Sequence, residues 1–495
     1  MTPISTGCDW DFGLIERYDA AIGAAASAYG LDTYANQIEI ISSEQMLDAY
    51  ASSGLPIGYF HWSYGKEFIR NERAYRSGMQ GLAYEIVINS DPCISYLMEE
   101  NSMMMQALVI AHAAYGHNSF FKGNYLFRQW TCADGILDYL VFARRYVSDC
   151  EERHGIEAVE EVLDSCHALM HHGVDRYKRP APLSLHGEAA RAASREEHAR
   201  RQFDDLWRTL PSAPRAGAAS PARFPAEPEE NILYFVEKHS PRLAPWQREL
   251  VRIVRKLAQY FYPQVQTKVM NEGWASFWHY TLINRLHEQG LVDDGFMLEF
   301  LQSHTNVVAQ RGFDEPGYQG INPYALGFAM MRDIRRMCEQ PTDEDRHWFP
   351  QLAGTDWVKS LDFAMRNFKD ESFIAQYLSP RLIREFRLFA VADHWRQDEL
   401  QVDSIHDDEG YRRVRSLLAG QHKRETLVPD IQVARYEHDG DRSITLQHRI
   451  HRDRPVAEAS ARETLKHLAR LWGFDVRLEG IREDGVVEYC QECKV

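Results

Sequence analysis

Long apolar runs are missing: nothing in the 495 residues reaches the roughly 18 consecutive apolar positions that a membrane-spanning helix needs. The N-terminus, MTPISTGCDWDFGLIERYDAA, places charges where a secretory signal needs an apolar core, so the chain reads as cytoplasmic. Cysteine is sparse and scattered. The eight residues Cys8, Cys93, Cys132, Cys150, Cys166, Cys338, Cys490 and Cys493 do not form the dense framework of a small secreted domain, and most read as buried free thiols. Positive charge is also short, with 56 Lys and Arg against 72 Asp and Glu and a net charge of −16. That balance argues against a large non-specific nucleic-acid footprint and against attraction to anionic lipid. No GxGxxG loop, Walker loop or nucleophile elbow occurs. What remains is ordinary globular composition, 44% hydrophobic and 26% charged, with length for about two to four domains.

Helical spacing dominates residues 10 to about 205, with Ile15, Tyr18, Ile22 and Ala26 on one stripe and Asn101 or Ser102 able to cap the apolar run MMMQALVIAHAAYG. Two helices are expected between Asp134 and about His172, broken near Gly155. A Pro/Ala/Gly/Ser-rich stretch at 206–230 reads as a flexible linker or loop. Helical pattern resumes from 231 to about 420, with an interruption at Pro263, a long apolar helix ending at Gly290, a helix over Asn322 to Cys338, and another over Glu371 to His394 broken at Ser379-Pro380. Beyond that the period changes to two. Residues 425–495 predict a small α+β module of order β-β-α-β-β, with turns at Asp439-Gly440 and Asp484-Gly485 and a helix from about Ala457 to Trp472 stopped by Gly473. The expected fold is mainly α: a helical body in two parts, 1–205 and 231–420, followed by this module.

Two polar clusters interrupt the most apolar helices. In HAAYGHNSFFK, His112 and His117 stand five residues apart, some 140° apart on a regular α-helix, so convergence on one metal needs a bulge or a break at Gly116. In NEGWASFWHY, Glu272 and His279 stand seven apart and return to within about 20° of one face. A carboxylate among Trp274, Phe277 and Trp278 requires a cation, a metal or a hydrogen-bond donor. His112, His117 and Glu272, with His279 as a fourth ligand or proton carrier, form a donor set of the kind that binds zinc between helices. The alternatives are core histidines bonded to backbone or carboxylate groups, and an ion pair between Glu272 and an Arg or His of another helix. His167 and His171, at i, i+4, read more simply as surface or capping residues, Cys490 and Cys493 as free thiols of a frayed tail, and Arg176-Tyr177-Lys178-Arg179 as a solvated face.

The runs AHAAYGHNSFFKGNYLFRQW, LDSCHALMHHGVDRYKRP and KVMNEGWASFWHY resemble the hallmarks of the stage V sporulation protein R (SpoVR) family, and the likeness spans nearly the whole chain. The resemblance implies a bacterial cytoplasmic protein linked to spore cortex formation, or in non-sporulating bacteria to stationary-phase and stress responses, alongside a PrkA-like serine kinase. It does not imply a settled activity. A fainter similarity is to gluzincin-type helical zinc metallopeptidases, with H-E-x-x-H or H-E-x-x-P-G-H on one helix and a ligand Glu, sometimes in E-G-W-A, on a later one. This likeness implies a zincin-like body with His112, His117 and Glu272 on a divalent metal, most simply zinc. Ala113 stands where those enzymes carry the general-base Glu, an effect worth about 10²–10⁴-fold, which leaves His279 or Tyr115 to take over. The expectations are a metal-dependent hydrolase of peptide or cell-wall amide bonds, or a non-catalytic regulatory protein in which the same residues form a core network.

Overall fold

The computed structural model describes residues 2–51, 58–62, 69, 85–175, 224–225, 227–312, 315, 318, 320–388, 391–393, 400–402, 407–423, 428–438, 440–451 and 455–495. They group into two compact units, Met1–Leu163 with Lys256–Val428, and Asp164–Arg255 with Pro429–Val495. Among the described residues no helix is long and apolar enough to cross a membrane. Most of stretch 206–230 and all of Arg176 to Arg179 lie outside the described residues.

In the first unit, α1 (Phe12–Ala28) starts where the Asp11 carboxylate accepts the Leu14 N–H, and it buries Ile15, Tyr18, Ile22 and Ala26 at the expected spacing. The following stretch corrects the helical expectation. Strand β1 (Asn36–Ile41) pairs parallel with β3 (Cys93–Met98), and β2 (Glu85–Ile88) pairs antiparallel with the other edge of β3. Every residue of β3 is buried, so CISYLM shows no alternation, and periodicity does not separate such a strand from a buried helix. Between β1 and β2 lies α2 (Ser43–Ala51).

The Ser102 hydroxyl accepts the Met105 N–H and caps α3 (Met103–Val109). The helix then passes without a break into a π-helical stretch, Ile110–His117, and on into α4 (Asn118–Gly123). After α5 (Tyr125–Trp130) come α6 (Ile136–His154) and α7 (Ile156–Ala168), separated at Gly155 as the sequence predicts. Because α7 ends at Ala168, His167 and His171 do not share one helix, and their i, i+4 spacing loses its geometric meaning. In the second unit, α8 (Ile232–His239) precedes α9 (Pro245–Gln266), which extends into the first unit. The expected interruption at Pro263 is absent: α9 continues through it and stops one turn later, where the Thr267 hydroxyl donates to the Pro263 carbonyl. Only a terminal turn follows that proline, so little helical hydrogen bonding is lost.

The long apolar helix is α10 (Lys268–Glu288), and α11 (Asp294–Val307) and α12 (Pro323–Glu339) flank it. The first unit is completed by α13 (Asp343–Trp348), α14 (Trp357–Asn367), α15 (Asp370–Tyr377), α16 (Pro380–Glu385), a short antiparallel pair β4 (Val391–Asp393) and β5 (Leu400–Val402), and α17 (Asp408–Gln421). The helix expected to reach His394 therefore ends at Glu385, and β4 occupies part of its span.

The tail matches its predicted order. Strands β6 (Asp430–Tyr436) and β7 (Ile444–Arg449) form an antiparallel pair, α18 (Glu458–Trp472) crosses over, and β8 (Val476–Ile481) and β9 (Val487–Cys493) close the four-stranded sheet. Because the crossover is helical, β7 and β8 run parallel. Gly473 ends α18 in the left-handed conformation at φ 82°, the ordinary reason for glycine there. Within this unit Phe235 of α8 stacks on Trp472 at 5.6 Å. The CxxC is not frayed: Cys490 and Cys493 lie on β9, three residues apart and hence on opposite faces of the strand, so they do not converge on a shared ion.

Candidate metal centre

The π-helical stretch resolves the spacing problem of His112 and His117. Winding with i→i+5 bonds turns the chain less per residue than an α-helix, so side chains five apart stack on one side. The two rings meet edge to face with centroids 4.6 Å apart. Against this stretch lies α10, and two kinds of small residue let it approach. A Cβ on Gly116 would stand 2.7 Å from the Ala275 Cα, and a Cβ on Gly273 would collide with the backbone of Gly327 in α12. The Gly273 and Ala275 of the E-G-W-A run are thus required by helix contact. Trp274, between them, donates its indole N–H to the Ser119 hydroxyl at 2.9 Å.

Close approach brings Glu272 to the two imidazoles, its Oε2 lying 3.8 Å from His112 Nε2 and 3.5 Å from His117 Nε2. A fourth group arrives from the sheet: Glu85, first residue of β2, sets Oε1 3.1 Å from His112 Nε2 and 3.8 Å from His117 Nε2. Among the described residues, Glu85, His112 and His117 are a group with ligating atoms all within 4.8 Å of one another. The Oε2 atoms of both Glu85 and Glu272 are buried without a hydrogen-bond partner. Orphaned carboxylate oxygens facing two imidazole nitrogens suit a divalent cation: Glu85, His112 and His117 form the converging group, and Glu272 Oε2 lies within 3.8 Å of both imidazoles. The imidazoles are 5% and 8% exposed and the carboxylate side chains 18% and 17%.

The groups behind the cluster fix its orientation. The Asn271 side-chain oxygen accepts from His117 Nδ1 at 2.9 Å, which turns the lone pair of Nε2 toward the carboxylates. The Tyr324 ring lies nearly parallel to His112, with centroids 6.4 Å apart. The buried Asp370 carboxylate accepts the Val269 and Met270 N–H groups at 2.9 Å each and anchors the first turn of α10, just before Glu272. His279 returns to the same face as Glu272, as the seven-residue spacing predicts, yet it meets the other side of the His112 ring, Nδ1 to Nδ1 at 2.9 Å. Its Nε2 is taken by His304 Nδ1 at 2.7 Å. With both nitrogens engaged, His279 stands behind His112 rather than beside it as a ligand. Tyr115 points to α1, where its hydroxyl donates to Asp19 Oδ1 at 2.8 Å.

Electrostatics follow from burial and charge. Burial pushes Glu85 up to about 7, with Glu272 adding to the shift and His112 opposing it. Burial also opposes charge on Glu272, but hydrogen bonding by His112, together with His117 and Tyr324, outweighs it and holds that carboxyl below its ordinary value. His112 is disfavoured as a cation by burial, but Glu85 and Glu272 raise it on balance. Burial takes His117 down to about 4, and burial together with the neighbouring imidazoles holds His279 well below its ordinary value. His112, His117 and Glu272 were legible as site candidates, whereas Glu85 was not: the run EIVI carries no sign that its first residue faces a pair of histidines 27 and 32 positions later.

Comparison with known proteins agrees over the full length. The family described as "SpoVR like protein" matches residues 9–427, and "SpoVR-like C-terminal domain" matches residues 429–483. The chain is 58% identical over 493 residues to "Uncharacterized protein YcgB" of Escherichia coli (strain K12), covering 99% of this chain and 96% of that protein. No solved structure matches. On the strength of the matched span and of the motifs that build the cluster, the chain belongs to the SpoVR-like protein family.

Proposed function

We propose that the chain is a divalent-metal protein, with zinc as the ion, and that it acts as a metal-dependent hydrolase of peptide or cell-wall amide bonds in a sporulation or stress response. One observation carries the metal reading: His112 and His117 turn Nε2 toward two carboxylates whose buried Oε2 atoms have no hydrogen-bond partner. In this reading His112, His117 and Glu272 hold the ion in a zincin-like arrangement, and a bound divalent ion supplies the charge that polarises a carbonyl and acidifies water. Glu85 takes the role that Ala113 leaves vacant. It enters from β2 with Oε1 3.1 Å from His112 Nε2, beside the place of the ion, where it would accept a proton from water. Asn271 and His279 keep the two imidazoles aimed. Action beside a PrkA-like serine kinase belongs to the same proposal, and co-purification with that kinase tests it.

The deciding measurement is elemental analysis of the dialysed protein, for wild type, His117→Ala, Glu272→Gln and Glu85→Gln. Near-stoichiometric zinc in wild type and Glu85→Gln, lost in the other two, supports the assignment. Amide turnover that then falls by about 10²–10⁴-fold in Glu85→Gln identifies the base. A folded wild type that holds no metal and takes up no added zinc overturns the reading and leaves a polar core network in a non-catalytic protein.

A further inference from the structure

The cluster does not end at His112. Behind it, three histidines from three different segments are joined in series: His112 in the π-helical stretch, His279 in α10 and His304 in α11, with ring nitrogens 2.9 and 2.7 Å apart. All three are buried, and His304 is enclosed by aromatic rings. Phe300 stacks on it at 5.9 Å, Phe328 meets it edge-on at 4.7 Å, and Tyr280 lies 4.9 Å away. Such a sleeve disfavours a charged ring, so each hydrogen bond in the series needs one nitrogen with a proton and one without.

We propose that His279 and His304 are positioning residues that set the tautomer of His112 for metal binding. The proposal rests on the metal reading above and follows from counting protons along the chain. If His112 Nε2, the nitrogen facing Glu85 and Glu272, gives its lone pair to the ion, its proton sits on Nδ1. His112 Nδ1–H then donates to His279 Nδ1, which places the His279 proton on Nε2. That N–H in turn donates to His304 Nδ1, and the last proton rests on His304 Nε2. Each ring carries one proton, every inward nitrogen has a partner, and only one polarity of the chain is consistent with a ligand at His112. A phenylalanine or leucine at 304 would leave the His279 Nε2–H buried without an acceptor, so His279 would gain from the opposite tautomer. In that form it presents an N–H to His112 and opposes the His112 tautomer that binds metal.

The test compares wild type, His304→Leu and His304→Asn as full-length proteins, using zinc affinity by chelator competition and nitrogen-15 NMR of the histidine rings. An Asn side-chain oxygen restores an acceptor where His304 Nδ1 stood. His304→Leu is expected to bind zinc about 10–100-fold more weakly, the usual cost of losing an outer partner of a ligand, and to lose the Nε2–H signature of His279. His304→Asn is expected to recover most of the affinity and that signature while resembling the Leu variant in lost aromatic packing. Wild-type affinity in His304→Leu, or equal loss in both variants with the His279 tautomer unchanged, overturns the positioning role while the metal site stands. Wild type that binds no zinc overturns the metal reading and this inference with it.

Discussion

At the scale of single residues, what matters is which atom a side chain offers and to whom. Ala113 illustrates this. Likeness to metallopeptidases makes it the missing general base, but the residue is fully buried in the apolar core, while Glu85 from β2 occupies the space beside His112 Nε2. Ala113→Glu should therefore lose stability rather than gain activity: it buries an unpaired carboxyl and overpacks the core, at a cost of about 3 kcal/mol or more. A thermal melt checks it, and an unchanged melting temperature with new amide turnover would reverse the assignment. Asp370 makes a second residue-scale case. Burial pushes its carboxyl up to about 7, against the pull of backbone N–H groups. Between about 4 and 7 the folded protein then holds a proton that the unfolded chain has released, so this group makes stability fall as pH rises through that window. Denaturant unfolding of Asp370→Asn across it should show that slope reduced, by an amount on the order of a few kcal/mol at most. A slope identical to wild type refutes the assignment. Such a result would mean the carboxyl stays ionised on its backbone donors.

Helices and strands decide whether these residues meet. His112 and His117 were readable as candidates, but their five-residue spacing is productive only because Ile110–His117 winds as a π-helix, a state no residue pattern announces. The tight contacts of α10 with its neighbours depend on glycine. A Cβ on Gly327 would collide with the Val269 carbonyl and with Gly273, both backbone, so neither side can yield by a rotamer change. Gly327→Ala should cost about 1–3 kcal/mol by overpacking and should also reduce bound zinc, since α10 carries Glu272 and Asn271. Unfolding curves and elemental analysis of the same preparation test both parts together, and full metal occupancy in a destabilised variant would show that α10 keeps its register despite the strain. The strands were the harder elements to read. In β3 continuous burial erases alternation, whereas β7 keeps it in Ile444, Leu446 and His448 and was legible at once.

At the scale of the whole molecule, the cluster and its supporting residues all belong to the first unit, while the C-terminal sheet packs within the second beside α8. Removing residues 429–495 should leave zinc content per soluble chain unchanged. It should also bare Ile232, Leu233, Phe235 and Val236 of α8, all buried in the full chain, and so raise aggregation and dye binding to apolar surface. Size-exclusion chromatography with metal analysis separates the two effects, and a monomeric truncation without extra dye binding would show that α8 does not need the sheet. The sequence by itself determined the helical body, the β-β-α-β-β tail with its glycine stop at Gly473 and the family, and it offered His112, His117 and Glu272 as site candidates, because periodicity, turn chemistry and long unusual motifs are local signals. Only the tertiary structure decided that Glu85 joins them, that His279 stands behind His112 and not beside it, and that Tyr115 turns away to Asp19. Those outcomes depend on which backbones approach closely enough to pair buried charges. That proximity is set by small residues on helices far apart in the chain, and no short-range pattern encodes it.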